Sequence, residues 1–435
     1  MEKSLMPKAV ISNKIYLDCE PELMRSIIKT LTYKIKKNIP GATHFSQFEI
    51  IKNYQLISKT IIAIPVGRQD LIPENYEIID KRILHELPFP NALLDLRKEQ
   101  ESVYDEVDDT CFINAMVGWG KTYTALHIAR KLGQKTLVVC HNTMLRDQWG
   151  EDVEKLFGMK AGVIGSGHFD IDHSIVVGNI QTLTKMIPQI AKEFGTIIID
   201  EAHHCPATTF TAFIDGMYAR YKIGLSGTMM RKDGKHILFK DFFGPKLYQP
   251  PQSHTLTPTV RIVKTGISLA QGEPWVKKMN ILLYDPDYQK FIAHAARMQI
   301  EKGHKVLIIA DRVEFLQQVG ELIGENCVCI TGGTTYEERT ELKRQIEEGE
   351  KDCIAGSRQI FSEGISINIL SCVILAGPIA NDSLLEQIIG RIQRMYEGKL
   401  PPLVLDMNFS GASDRKQNRD RQAFYARKGW EVQGL

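Results

Sequence analysis

No run of apolar residues in this 435-residue chain reaches the ~18 that a bilayer-spanning helix needs. The opening residues Met1-Glu-Lys-Ser-Leu-Met-Pro7 carry no apolar core of the secretory type, so the cytoplasm is the expected compartment. Cysteine is sparse and scattered. The nearest two of the eight, Cys327-Val-Cys329, match neither a redox C-x-x-C nor a metal-ligand pair. His203-His204-Cys205 has no second ligand pair at a suitable spacing, so zinc is not expected. A large excess of charge of one sign is missing as well. A net charge of +2 leaves phosphate binding to a local basic face rather than to the whole surface.

The composition, 43% hydrophobic and 24% charged, is that of a globular chain long enough for two or three cores. Before about residue 88, Lys14–Asp18 and Thr60–Val66 read as strands, being β-branched and bounded by polar, Pro or Gly residues. Between them Leu23, Ile27, Leu31 and Ile35 recur at helical spacing, which predicts a helix from Glu22 to Lys37 carrying Lys29, Lys34, Lys36 and Lys37. Pro88-Phe-Pro90 reads as a linker. Near-continuous apolar runs then alternate with helical stretches, at 110–115, 136–140, 174–178, 196–200 and 221–226. A second series follows at 305–310, 327–330, 352–355, 372–375 and 403–405, preceded at 259–283 by what reads as a hairpin extension. Such runs indicate parallel sheets covered on both faces. The stretch Arg415–Lys428 carries six basic side chains.

The chemistry concentrates where the strand at 110–115 meets a helical run. Ala115-Met-Val-Gly118-Trp-Gly120-Lys121-Thr122 has the Walker A spacing, with Ala in the first Gly position. Gly118 and Gly120 allow a tight turn whose N–H groups point at phosphate oxygens, so Met116, Val117, Gly118, Trp119 and Gly120 are the candidate cradle. Lys121 reaches the β/γ-phosphates and the Thr122 hydroxyl can ligate Mg²⁺. Downstream, three isoleucines run into Asp200-Glu201-Ala-His203. A carboxylate ending a buried strand suits Mg²⁺ held largely through water, and the next one, Glu201, is placed to polarise an attacking water.

With these residues the chain resembles the superfamily 2 helicases from about residue 93 to 430. Asp200-Glu-Ala-His203 resembles their motif II, and Ser226-Gly-Thr228 their motif III, which links nucleotide state to grip on a strand. Thr228-Met-Met-Arg-Lys-Asp-Gly234 resembles the branch holding phage recombination and transcription-repair helicases. Leu96-Arg97-Lys-Glu-Gln100 resembles the adenine-sensing motif, which implies Arg97 and Gln100 as base contacts. Val139–Trp149 and Gly178–Leu183 resemble strand-contact motifs, which implies Thr143, Arg146 and Thr182 beside the nucleic acid. Ser357–Ile367 resembles motif V, implying Ser357 and Ser362 on the strand and Gly364 by the nucleotide. Gln387-Ile-Ile-Gly390-Arg391-Ile-Gln-Arg394 resembles motif VI. A pair of guanidinium groups one helical turn apart is suited to reach a γ-phosphate, with Gln387 alongside.

The overall likeness is to tailed-bacteriophage branch-migration helicases, and it includes Ile72–Asp80. It implies an α/β fold of two tandem RecA-like parallel-sheet domains preceded by a small α+β domain. The expected boundaries are 1–88 for an accessory DNA-binding domain, 89–255 for the ATP-binding domain, and 256–435 for the second domain with a basic C-terminal helix. The implied activity is ATP- and Mg²⁺-dependent DNA unwinding or translocation on forks and Holliday-type junctions, in recombination, replication or repair. A monomer is expected, with no membrane partner, in the host cytoplasm if the chain is phage-encoded. An RNA helicase shares every motor motif. The motor subunit of a restriction-type complex is a further alternative, although little follows Arg394 to form a nuclease.

Overall fold

The computed structural model describes residues 6–36, 48–116, 118–203, 207–227, 235–250, 256–269, 273–358, 361, 367–410 and 412–434. The turn Val117–Trp119 aside, one compact unit runs to Pro251 and a second from Gln252.

The first unit is organised on an eight-stranded sheet in the order His168–Phe169, Gly162–Gly165, Ile175–Asn179, Thr136–Cys140, Thr196–Ile199, Tyr221–Ser226, Cys111–Asn114, Leu247–Tyr248. All neighbours are parallel except the edge hairpin 162–169. Its central strands are buried on both faces, as their unbroken Val/Ile composition requires. The helices Lys121–Leu132, Thr143–Phe157 and Ile180–Ile190 each follow a strand. That order sets the C-terminal ends of Thr196–Ile199, Tyr221–Ser226 and Cys111–Asn114 side by side, at the edge where open α/β sheets bind ligands.

Lys222, on the strand Tyr221–Ser226, is buried with its Nζ 3.4 Å from the Ile214 carbonyl. Burial pushes its pKa down to about 7, against a smaller opposing pull from Asp215. The unfolded chain therefore holds that proton more tightly, so stability rises as pH climbs from about 7 towards the ordinary lysine value near ~10.4. Lys222→Met is expected to remove that rise and to stabilise the fold by on the order of 1 kcal/mol at pH 7. Urea unfolding of both proteins at pH 7 and pH 9 checks it.

Ahead of this sheet lies a five-stranded one, ordered Gln55–Leu56, Ile61–Pro65, Lys14–Asp18, Lys8–Ile11, Glu77–Asp80. The helix expected at 22–37 is shorter, Pro21–Thr30, and Thr32–Lys36 is instead a strand paired antiparallel with Phe48–Lys52. Thr32, Tyr33 and Ile35 favour extended backbone, and tertiary contacts decide the outcome. The Tyr33 hydroxyl donates to Asp241 at 2.8 Å, and Tyr33 and Ile51 pack against the core of the larger sheet. Asp241 is fully buried and also accepts from Asn53 (2.6 Å) and Arg68 (3.1 Å).

Pro88-Phe-Pro90 does not serve as a free linker. Phe89 lies edge-on to Phe157 at 6.1 Å, Arg130 donates to the Pro90 carbonyl at 3.0 Å, and Leu93 N–H donates to Leu156.

The second unit has a seven-stranded parallel sheet, ordered Cys327–Ile330, Cys353–Ser357, Val306–Ala310, Cys372–Leu375, Leu403–Asn408, Thr259–Lys264, Glu431–Gln433. The hairpin extension expected at 259–283 is absent among the described residues. Thr259–Lys264 joins the sheet because Val260 and Ile262 are both buried in it, and Trp275–Leu283 is a helix. The C-terminal helix Ala412–Arg427 is docked by a buried cluster. Arg421 donates to Asp406 at 2.9 Å and Tyr425 does so at 3.0 Å, so Arg421 is taken out of the basic face.

Candidate functional site

The strand Cys111–Asn114 delivers the chain into a turn in which Gly118 and Gly120 have φ of +87° and +93°. L side chains rarely adopt these values. At Gly120 space is limiting too, since a Cβ would lie 2.3 Å from Gln100 Nε2 and 2.9 Å from Arg97 Nη2. Gln100 accepts from Arg97 N–H at 2.8 Å and donates to the Gly120 carbonyl at 3.2 Å, so the helix start Arg97–Gln100 is tied to the turn. Lys121 begins the helix Lys121–Leu132, with its ammonium 2.9 Å from the Ala115 carbonyl and 3.4 Å from that of Met116. Thr122 is half-buried one residue on, and Trp119 is buried. Val117 lies outside the described residues.

Asp200 ends the strand Thr196–Ile199, two strands away in the sheet, and is 7% exposed. Its Oδ1 accepts from Glu201 N–H at 2.9 Å and its Oδ2 from the Trp149 indole at 2.8 Å. Burial first, then the charge of Glu201, push Asp200 up to about 6. Glu201 has φ +41°, a strained position for a non-glycine residue of the kind that clusters at functional sites. His203 Nδ1 lies 2.7 Å from Ser226 Oγ and 3.2 Å from Glu201 Oε2, which joins the motif II and motif III segments. Thr228, the last residue of the motif III likeness, and the extension that follows it to Gly234 fall outside the described residues.

This donor set suits Mg²⁺. No group of three or more His, Cys, Asp or Glu among the described residues could hold a metal alone. Mg²⁺ commonly takes one or two carboxylates, water and substrate phosphates, and Asp200 with the Thr122 hydroxyl could supply the protein's part. Two adjacent acids at the end of a buried strand also favour a cation.

Of the expected strand contacts, Thr143 is exposed in the first turn of its helix and accepts from Asn179 Nδ2 at 3.2 Å. Thr182 is half-buried in the first turn of the next helix. Both sit at helix N-termini on one edge of the sheet, where backbone N–H groups attract phosphates. Arg146 does not join them. It is 7% exposed, bound to Asp147 at 2.6 Å and to Ser166 at 2.9 Å.

In the second unit Ser357 ends the strand Cys353–Ser357, while Ser362 and Gly364 lie outside the described residues. Gln387 is buried on the helix Asp382–Gly390. That helix stops before the arginines, contrary to the expectation of one helical face. Arg391 and Ile392 donate back three residues to Ile388 and Ile389, so a tight turn sets their spacing. Arg391 Nε donates to the Phe361 carbonyl at 3.0 Å, and Arg394 Nη1 to Asn368 Oδ1 at 3.1 Å. Burial, then the like charge of Arg391, hold the Arg394 pKa below its ordinary range.

Sequence reasoning missed Trp149 and Asn368. Only the position of Trp149 beside Gln148 in the motif Ia likeness offered any signal.

Comparison with known proteins bears on the family and the fold. Residues 90–231 match the family model described as type III restriction enzyme, res subunit, and residues 289–396 match the helicase conserved C-terminal domain. The chain is 43% identical over 435 residues to the probable helicase D10 of Escherichia phage T5, covering 98% of this chain and 95% of that one. It is 25% identical over 393 residues to the DNA 3'-5' translocase XPB2 of Sulfurisphaera tokodaii, covering 79% and 89%. The Pyrococcus furiosus Hef helicase domain shares the fold, with a TM-score of 0.52 and 14% identity over 75% of this chain and 98% of that one. Among the described residues no helix is long and apolar enough to cross a membrane. The chain belongs to the ATP-dependent, nucleic-acid-binding helicases of superfamily 2 and is related to the phage helicases among them.

Proposed function

We propose that this chain is a monomeric, ATP-driven DNA helicase or translocase that works on forks and four-way junctions in recombination, replication or repair. Lys121 and the glycine turn bind the triphosphate, with Arg97 and Gln100 on the base. Asp200 and Thr122 would hold Mg²⁺, which when bound would supply positive charge to the phosphates. Glu201 takes the proton of the attacking water, while Arg391 and Arg394 stabilise the charge that develops on the γ-phosphoryl group, with Gln387 beside them. Thr143, Thr182, Ser357 and Ser362 grip strand phosphates, so binding is steeply salt-dependent and nearly indifferent to sequence.

The observation that carries the choice of branched DNA is the hairpin Thr32–Lys36/Phe48–Lys52. Directly opposed residues share a face, so Lys34, Phe48, Ile50 and Lys52 lie together, and all four are exposed. Phe48 and Ile50 are 57% and 58% exposed. Cations alternating with an aromatic and an aliphatic side chain suit phosphates beside unstacked bases, as found where a duplex opens.

The test compares ATPase stimulation and strand separation on forks, four-way junctions, single strands and RNA. Forks and junctions are expected to stimulate most. The double variant Lys34→Ala/Phe48→Ala is expected to weaken fork binding about tenfold while leaving single-strand-stimulated turnover intact. Equal stimulation by RNA would reject the DNA reading. Unaltered fork affinity in the double variant would reject the hairpin's role.

A further inference from the structure

Trp149 is an ordinary core residue by position, being 2% exposed and halfway along the helix Thr143–Phe157. Its indole N–H, however, ends on a carboxylate. The 2.8 Å bond to Asp200 Oδ2 joins two side chains that are both nearly inaccessible. A packing role alone calls for a large ring and no donor. Here the donor meets an acidic group, and hydrogen bonds to charged acceptors are roughly twice as strong as neutral ones.

The bond also completes a frame. With Glu201 N–H on Oδ1 and the indole on Oδ2, each Asp200 oxygen has a donor and the plane of the carboxylate is fixed. Each oxygen keeps a lone pair that a cation or its water shell could use. The helix bearing Trp149 is capped at its start and attached at one further point. At its start Asn142 caps it by accepting from Leu145 N–H at 2.8 Å, and this holds Thr143 exposed in the first turn. One turn beyond the indole, Asp152 Oδ1 accepts from Tyr123 at 3.2 Å, two residues past Lys121. One rigid helix thus touches the nucleic-acid edge, the phosphate-loop helix and the acid of motif II.

We propose that Trp149 is a positioning residue for the nucleotide site: its N–H orients Asp200 for Mg²⁺ and ties that carboxylate to the helix whose first turn faces the nucleic acid. The proposal rests on the assignment of Asp200 to Mg·ATP. Movement of the helix when a strand engages its N-terminal turn is carried to Asp200 through a bond that side-chain packing cannot replace.

The test uses the full chain with a fluorescent ATP analogue titrated with Mg²⁺. Trp149→Phe keeps an aromatic ring and removes the donor. It is expected to raise the Mg²⁺ needed for half-maximal tight nucleotide binding about tenfold, the usual effect of removing a partner that orients a metal ligand. Affinity for the analogue in EDTA should be unchanged, and the fold-stimulation of hydrolysis by single-stranded DNA should drop by a similar factor. Should Trp149→Phe fail to fold, 3-benzothienylalanine placed at position 149 keeps the bicyclic ring and replaces N–H with sulfur. It is expected to show the same Mg²⁺ shift. An unchanged Mg²⁺ requirement in a folded variant overturns the proposal. Absence of Mg²⁺-dependent hydrolysis in the unsubstituted protein would instead overturn the reading of Asp200 on which it stands.

Discussion

Lys121→Ala and Glu201→Gln are each expected to cut ATP turnover by about a thousandfold or more, and for different reasons. Lys121 is the first residue of its helix, and its ammonium bridges the carbonyls of Ala115 and Met116 at 2.9 and 3.4 Å. The same charge closes the loop and, in the proposed function, meets the phosphates, so its removal should weaken nucleotide binding together with turnover. Glu201 differs. Glutamine preserves its size and its strained φ of +41°, and removes only the capacity to accept a proton from water. Nucleotide affinity should therefore survive in Glu201→Gln while phosphate release stops. The measurement is phosphate release with saturating single-stranded DNA, alongside binding of a fluorescent nucleotide to both variants. Turnover within tenfold of the unsubstituted protein in Glu201→Gln would remove it from the role of base.

Those candidate residues stood out in the sequence because the chemistry they suggest is local. A phosphate loop needs glycine, lysine and threonine in fixed order between a strand and a helix, and Gly118–Thr122 meets that need within one turn. The buried strands were legible for a related reason, since Thr196–Ile199 and Val306–Ala310 are apolar on both faces and short. What escaped was decided at long range. Leu31 and Ile35 fit a helical period, yet Tyr33 is held by Asp241, 208 positions later, so the segment is a strand. Arg146 sits in a likeness to a strand-contact motif, but Ser166 and Asp147 claim its guanidinium. Thr259–Lys264 shows alternating burial characteristic of many hairpins, and only its parallel pairing with Leu403–Asn408 makes it part of the main sheet. Trp149 is the sharpest case, because nothing in local sequence says that an indole will find the carboxylate 51 positions on.

Arg394→Ala is expected to separate binding from chemistry. Hydrolysis should drop by about 10³- to 10⁵-fold, the usual scale of an arginine that stabilises a transferring phosphoryl group. Nucleotide affinity should stay within about threefold, because an interaction made only in the transition state adds nothing to the ground state. The geometry supports an arginine that is held ready. Arg394 Nη1 rests on Asn368 Oδ1 at 3.1 Å, and the Arg394 carbonyl accepts from Lys399 at 2.8 Å. Arg391 is anchored separately to Phe361. Burial first, then the like charge of Arg391, disfavour the charge on Arg394, a cost that an approaching triphosphate would offset. Lysine at 394 should rescue little, since a point charge lacks the planar fork that spans two phosphoryl oxygens. Parallel loss of affinity and hydrolysis in Arg394→Ala would make it a ground-state contact. Retention of both would exclude it from the reaction, and Arg391 alone would then have to meet the charge that develops on the γ-phosphoryl oxygens.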